Sequence, residues 1–208
     1  MTPMMRRPRR RVMCGLVLGA SLAGVHIHAS TMAPAGAGAS IELQRKTTAA
    51  ATAVDDFQKR LAAYLKLREA LAKKLEPLRP TADAAELATR QEALASALKT
   101  ARKDARPGDL IPPAVADTIR ATVTADLASR TGTSRHAATS EIPTGVAMAI
   151  NRTYPKDEAL PTLPPLLLGK LPPLPDNLQY RFANRNLVLL DGDTQLIVDY
   201  VANVLPPK

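Results

Sequence analysis

The sequence predicts an α+β chain: an N-terminal helical hairpin plus a third helix, then a C-terminal Leu/Pro-rich segment and a small antiparallel β-meander. Three observations predict it. Apolar residues recur at three-four spacing between Val54 and Leu127, seven prolines fall between Pro155 and Pro175, and period-two alternation takes over from Leu178. Helical spacing first and strand spacing last, without interleaving, is the α+β order.

Residues 1–29 read as a secretory signal peptide. Arg6, Arg7, Arg9, Arg10 and Arg11 stand without an acid before the apolar run Val12 to Val25, the pattern of a charged n-region and a short h-region. That run is shorter than the roughly 20 residues a helix needs to cross a bilayer, so cleavage is expected and no transmembrane segment remains in the mature chain. The favoured cut follows Ala29. Arg9-Arg10-Arg11-Val12-Met13 loosely resembles a twin-arginine export signal, but Pro8 stands where Ser or Thr is usual, so ordinary secretion is preferred. The expected location is periplasmic or secreted.

Removing this segment changes the chemistry of the rest. The whole chain has 28 Lys and Arg against 19 Asp and Glu, a net +9; without the five signal arginines the balance is 23 to 19, or +4. That charge is ordinary for a soluble domain. The basic residues are interleaved with acids on predicted helices, and exposed aromatics that would stack bases are not evident beside them, so no nucleic-acid partner is expected. Cys14 is discarded, which excludes a disulfide or a cysteine nucleophile. His136 becomes the only histidine, which removes Cys/His zinc within one chain. No metal or cofactor is expected.

Residues 30–51, rich in Ala, Gly, Ser and Thr, read as a disordered tether. The helical region is expected over 52–130. Its first helix starts at a Thr52/Asp55 capping box, carries Val54, Phe57, Leu61, Tyr64, Leu71, Leu75 and Leu78 on one stripe, and ends at Pro77 and Pro80. Arg68 occupies a slot where that stripe calls for an apolar residue. A second helix runs from Asp83 to about Ala105, with Asp83 and Glu86 at capping spacing and Leu87, Leu94 and Leu98 on one side. The short link makes the pair an antiparallel hairpin. A third follows Pro112-Pro113, with Val115, Ile119, Val123 and Leu127 at i, i+4 spacing.

Residues 131–141 read as a flexible linker and 142–208 as the Pro-rich segment with the sheet. Val146 to Tyr154 is expected as a strand. Pro164-Pro165-Leu166-Leu167-Leu168-Gly169 fits one helical turn with Pro at its start and Gly at its stop. Strands are expected over Leu178 to Ala183, Leu187 to Leu190 and Leu196 to Val201, separated by Asn184-Arg185-Asn186 and Asp191-Gly192-Asp193. So small a sheet needs a cover, expected from the hairpin or the Leu/Pro segment.

The run Leu171-Pro172-Pro173-Leu174-Pro175, then Leu178-Gln179-Tyr180-Arg181-Phe182, Leu187-Val188-Leu189-Leu190-Asp191 and Leu196-Ile197-Val198-Asp199-Tyr200, resembles a group of exported bacterial proteins that are uncharacterised. Ala105-Arg106-Pro107-Gly108-Asp109-Leu110-Ile111-Pro112-Pro113 is similar to that group's link between its second and third helices. The resemblance spans most of the mature chain and implies an exported two-part protein with no assigned activity. The chain's Gly192-Asp193 departs from the group's usual turn, which weakens any role for those acids.

Four residues stand out as candidate ligand contacts: Arg181, Arg185, Asp191 and Asp199. Arg181, Arg185 and Asp199 fit a polar cluster on the sheet face opposite Tyr180, either a cross-strand ion pair or an anion site built on the Arg donor fork. Asp191, Asp193 and Asp199 are too few oxygens on too short a loop for calcium, and read as turn acids. His136 sits in a Thr/Ser/Gly-rich stretch and reads as solvated. Gly108-Asp109-Leu110 lacks the glycine density and Lys of a phosphate loop and reads as a helix stop.

No catalytic set is legible. The expectation is therefore a non-enzymatic binding or structural protein, with an envelope protein or self-association through the helical hairpin as its partner. The alternative is a carboxylate/Arg-dependent hydrolase or lyase with its site near the meander. Membrane association through the first helix is a third reading, less favoured because the apolar stripe is needed inside.

Overall fold

The computed structural model describes residues 36–77, 79 and 83–206. The expected signal peptide, Cys14, the first residues of the expected tether, Leu78 and Pro80 lie outside them. The chain is α+β: α1 (Gly36–Ala72), α2 (Ala84–Ala101), α3 (Pro113–Ser129), α4 (Gly132–Thr139) and α5 (Pro165–Leu168) precede β1 (Leu178–Ala183), β2 (Asn186–Asp191) and β3 (Ile197–Val201).

At 1.5 Å per residue, the 37 residues of α1 span about 55 Å. Only its second half packs: Phe57, Leu61 and Tyr64 are buried, whereas Glu42 and residues 44–52 are exposed. The tether expected over 30–51 is therefore corrected from Gly36 onward, where the chain is helical. Alanine is the best helix former, and a helix already nucleated by packing extends through Ala-rich sequence at little cost. Thr52 is accordingly interior, its hydroxyl donating to the Thr48 carbonyl at 3.0 Å, and does not cap the helix. α1 stops at Ala72, earlier than its prolines required. Arg90 of α2 reaches across and donates to the carbonyls of Ala72, the last residue of α1, and of Glu76 in the link beyond it.

Asp83 caps α2 as its spacing predicts, accepting from the Glu86 N–H at 2.9 Å. Leu94, Ala95 and Leu98 are buried, but Leu87 is 42% exposed, so only the C-terminal half of the stripe meets the core. α3 starts at Pro113 and buries Val115, Ile119, Val123 and Leu127. Each such side chain is worth roughly 1.5–3 kcal/mol over its exposed state.

The linker expected over 131–141 contains α4, a correction with a local cause: the Thr131 hydroxyl accepts from the Ser134 N–H, and Arg135 donates to the carbonyls of Leu127 and Arg130 at the end of α3. His136 is exposed on this helix. The strand expected over 146–154 is also absent. Asn151 has φ 61, which breaks an extended path, and one isolated bridge, Thr153 to Leu196, remains. This segment instead borders β3, with Asn151 N–H to the Ile197 carbonyl (2.8 Å) and Tyr154 N–H to the Gln195 carbonyl (2.7 Å).

The sheet is antiparallel in the order β1-β2-β3. Leu178, Tyr180, Phe182, Leu187, Leu189, Leu196, Val198 and Val201 join the helices and Leu163, Leu167 and Leu171 in the main core. Ala183, Val188, Leu190 and Ile197 pack on the other face under Val146 and Tyr154. One irregularity decides where the site residues point. Leu189 pairs with Asp199 and Leu190 with Ile197, which leaves Val198 without an opposite residue in a β-bulge. Past the bulge the alternation inverts, so Asp199 shares the helix-facing side with Val198 and Val201, and Tyr200 takes the opposite side.

Candidate functional site

The four candidate residues do not form one cluster. Arg181 pairs across β2 with Val188, and Val188 pairs with Tyr200, which stands where plain alternation placed Asp199. Asp199 lies on Tyr180's face, not opposite it. No hydrogen bond or ion pair links any two of Arg181, Arg185, Asp191 and Asp199.

Asp199 is fully buried and is gripped by backbone. Its Oδ1 accepts from the N–H groups of Gly108 (2.9 Å) and Tyr200 (2.8 Å), and its Oδ2 from those of Leu110 and Ile111 (both 2.8 Å). Three donors can converge because Gly108 adopts φ 93, open to a residue without Cβ. The loop that lacks a phosphate-binding motif thus makes an anion cradle after all, and the anion it holds is this chain's own carboxylate. Burial holds the Asp199 carboxyl above the usual carboxylate range, against the opposing pull of the four N–H donors.

Asp191 is equally buried and joins the sheet to α1. Its Oδ2 accepts from the Tyr64 hydroxyl (2.7 Å) and from Arg68 Nε (2.9 Å), and its Oδ1 from the Thr194 N–H (3.0 Å). Arg68 extends to Asp193 as well. Burial, then the adjacent Asp191 charge, push the Tyr64 phenol far above its ordinary range, so it stays a donor. Arg102 lies over the Tyr64 ring at 5.1 Å and donates to the Val198 carbonyl at 3.0 Å, filling the space between the two acid sites. Burial lowers its pKa, opposed by Tyr64, Asp199 and Asp109.

The remaining arginines lie elsewhere. Arg185 is exposed in the β1–β2 turn, donates to the Leu205 carbonyl (3.1 Å), and borders a cavity of about 170 Å3. Arg181 sits at the free edge of β1, where it lines a cavity of about 340 Å3 with Leu163, Leu168, Pro172, Leu174 and Leu178. Its Nη1 donates to the Tyr180 carbonyl (2.9 Å) and its Nη2 to Gln179 Oε1 (2.6 Å), both neutral acceptors. Its Nε is buried without a partner. The cross-strand ion pair expected as its ordinary role is not formed.

Among the described residues no group of three His, Cys, Asp or Glu is placed to hold a metal ion, and no helix is long and apolar enough to cross a membrane. Comparison with known proteins finds no matching family model, no matching curated protein and no matching solved structure.

Sequence reasoning missed Tyr64, Arg68 and Arg102. Arg68 did leave a signal, a charge in an apolar slot of the α1 stripe. Its partner Asp191 stood out on its own, but nothing in the sequence joins two positions 123 apart.

Proposed function

We propose that this chain is exported to the periplasm or beyond and acts there as a non-enzymatic binding protein. One observation carries the reading. The acids that sequence analysis offered for catalysis have their carboxylates engaged by internal donors, whereas Arg181 lines a largely apolar cavity and hydrogen-bonds only neutral acceptors. Largely apolar walls with a few polar groups are the usual make-up of a ligand site. The hydrolase or lyase alternative needs Asp191, Asp199 and Arg181 around one cavity. Neither Asp lines the cavity that Arg181 borders.

Two measurements test this. Cell fractionation with N-terminal sequencing should recover an envelope or secreted form beginning after Ala29; a cytoplasmic form beginning at Met1 refutes export. Panels of ester, glycoside and phosphoester substrates should give no saturable turnover. Turnover abolished by Arg181→Gln, in a variant that keeps the wild-type melting curve, refutes the non-enzymatic reading.

A further inference from the structure

The cavity beside β1 holds a charge that the fold does not use. Arg181 Nε is buried without a partner and burial lowers the Arg181 pKa, with only Tyr154 opposing it, so the guanidinium has lost part of its water without gaining an anion. Its hydrogen bonds to the Tyr180 carbonyl and Gln179 fix its direction without offsetting its charge. An incoming anion would meet a cation already partly desolvated and held in direction, which strengthens a charge-assisted bond. The walls specify the rest of the ligand. Leu163, Leu168, Pro172, Leu174 and Leu178 are apolar. A volume of about 340 Å3 lies at the low end of the roughly 300–1,000 Å3 of small-molecule sites. The lining has one cation, and its one acid, Asp176, is exposed. That balance fits a singly charged head and disfavours a phosphate dianion.

We infer that this cavity binds a small amphipathic monocarboxylate, its hydrocarbon body against the leucines and prolines and its carboxylate on Arg181. The inference rests on the non-enzymatic binding reading and names the ligand class for it. Octanoate is the probe, with octanol as its uncharged counterpart and acetate as the head without the body. Calorimetry and amide-shift mapping on the purified protein should give saturable octanoate binding, with shifts concentrated over residues 162–181. Acetate, which lacks the hydrocarbon body that meets the leucines and prolines, should show no saturation over the same concentration range, and octanol should bind roughly ten- to a hundred-fold more weakly, the range a hydrogen bond to a charged group commands. Arg181→Gln should lose octanoate affinity by the same factor without a change in melting temperature, and Asp176→Asn should tighten it a few-fold. Equal binding of octanol and octanoate, unchanged affinity in Arg181→Gln, shifts centred elsewhere, or no saturation with octanoate each overturn the site. If Arg181→Gln does not fold, the octanoate and octanol pair on the wild-type protein decides the same point. Chemical conversion of the carboxylate would overturn the non-enzymatic reading and leave the site standing; absent binding would do the reverse.

Discussion

Replacing Asp199 with Ala should be among the most destabilising single changes in this chain. The carboxylate accepts four backbone N–H groups, and two of the donors, Leu110 and Ile111, belong to buried residues that water cannot reach without the loop opening. A buried donor left unsatisfied costs about 1–3 kcal/mol, so these two alone give about 2–6 kcal/mol. Removing the charge returns part of the cost of burying it, which places the working value near 3 kcal/mol. Against a typical total stability of about 5–15 kcal/mol, that is a large fraction. Urea denaturation followed by circular dichroism should show the loss as a lower midpoint. Amide exchange at Gly108, Leu110 and Ile111 should accelerate more than in the distant α4. Asp199→Asn, which keeps one acceptor oxygen, should fall between the two. An Asp199→Ala protein within about 1 kcal/mol of wild type, with those amides still protected, would refute the backbone clamp.

The Asp191 and Asp126 sites give further tests. Arg68→Met leaves the buried Asp191 charge without a cationic partner, held only by the Tyr64 hydroxyl and the Thr194 N–H, and should cost about 3–5 kcal/mol, while the double change with Asp191→Leu should recover most of it; a double-mutant cycle by denaturant titration that shows no coupling would contradict this. Burial raises the Asp126 carboxyl, but Arg130 (2.7 Å) and Lys170 (3.3 Å) outweigh it and hold it below the usual carboxylate range. A depressed folded value means stability present above the unfolded carboxylate pKa and lost as pH falls through the folded one. Asp126→Asn should therefore flatten the acid limb of the curve of melting temperature against pH and leave its neutral-to-alkaline shape unchanged.

What the sequence disclosed and what it hid divide along contact range. Val115, Ile119, Val123 and Leu127 repeat every fourth residue, and that repeat alone sufficed to place α3. The Asp83 cap, the single turn of α5 and the three strands were legible for the same local reason. The bulge at Val198 was not, because nothing in Leu196 to Val201 marks which residue lacks a partner; that depends on where β2 stops pairing. One unpaired residue moved Asp199 from the face expected for it to the helix side. Gly108 read as a helix stop and turn; α2 already ends at Ala101, so only the turn holds, and the glycine's role in the cradle requires an acid 91 positions later. The tether failed differently: Ala-rich composition is ambiguous between disorder and helix, and the packed half of α1 settled it toward helix.

Arg68 and Arg181 make a contrast that separates holding the fold from binding a ligand. Both are charges carried on otherwise apolar surroundings, but Arg68 meets two carboxylates and Arg181 meets none. A charge kept only for stability would be better replaced here by an apolar side chain of similar length, since Met keeps the packing of the stem and avoids desolvating a guanidinium. Arg181→Met loses two charge-assisted hydrogen bonds, about 1.5–3 kcal/mol each, and regains several kcal/mol of desolvation cost for an unpaired cation, so the two contributions should largely cancel. The same substitution at Arg68 should cost several times as much. Parallel denaturant titrations of the two variants measure the difference directly. Equal losses would make Arg181 another fastener of the fold; a neutral or stabilised Arg181→Met would mark a residue whose cost to the fold is recovered only when something binds.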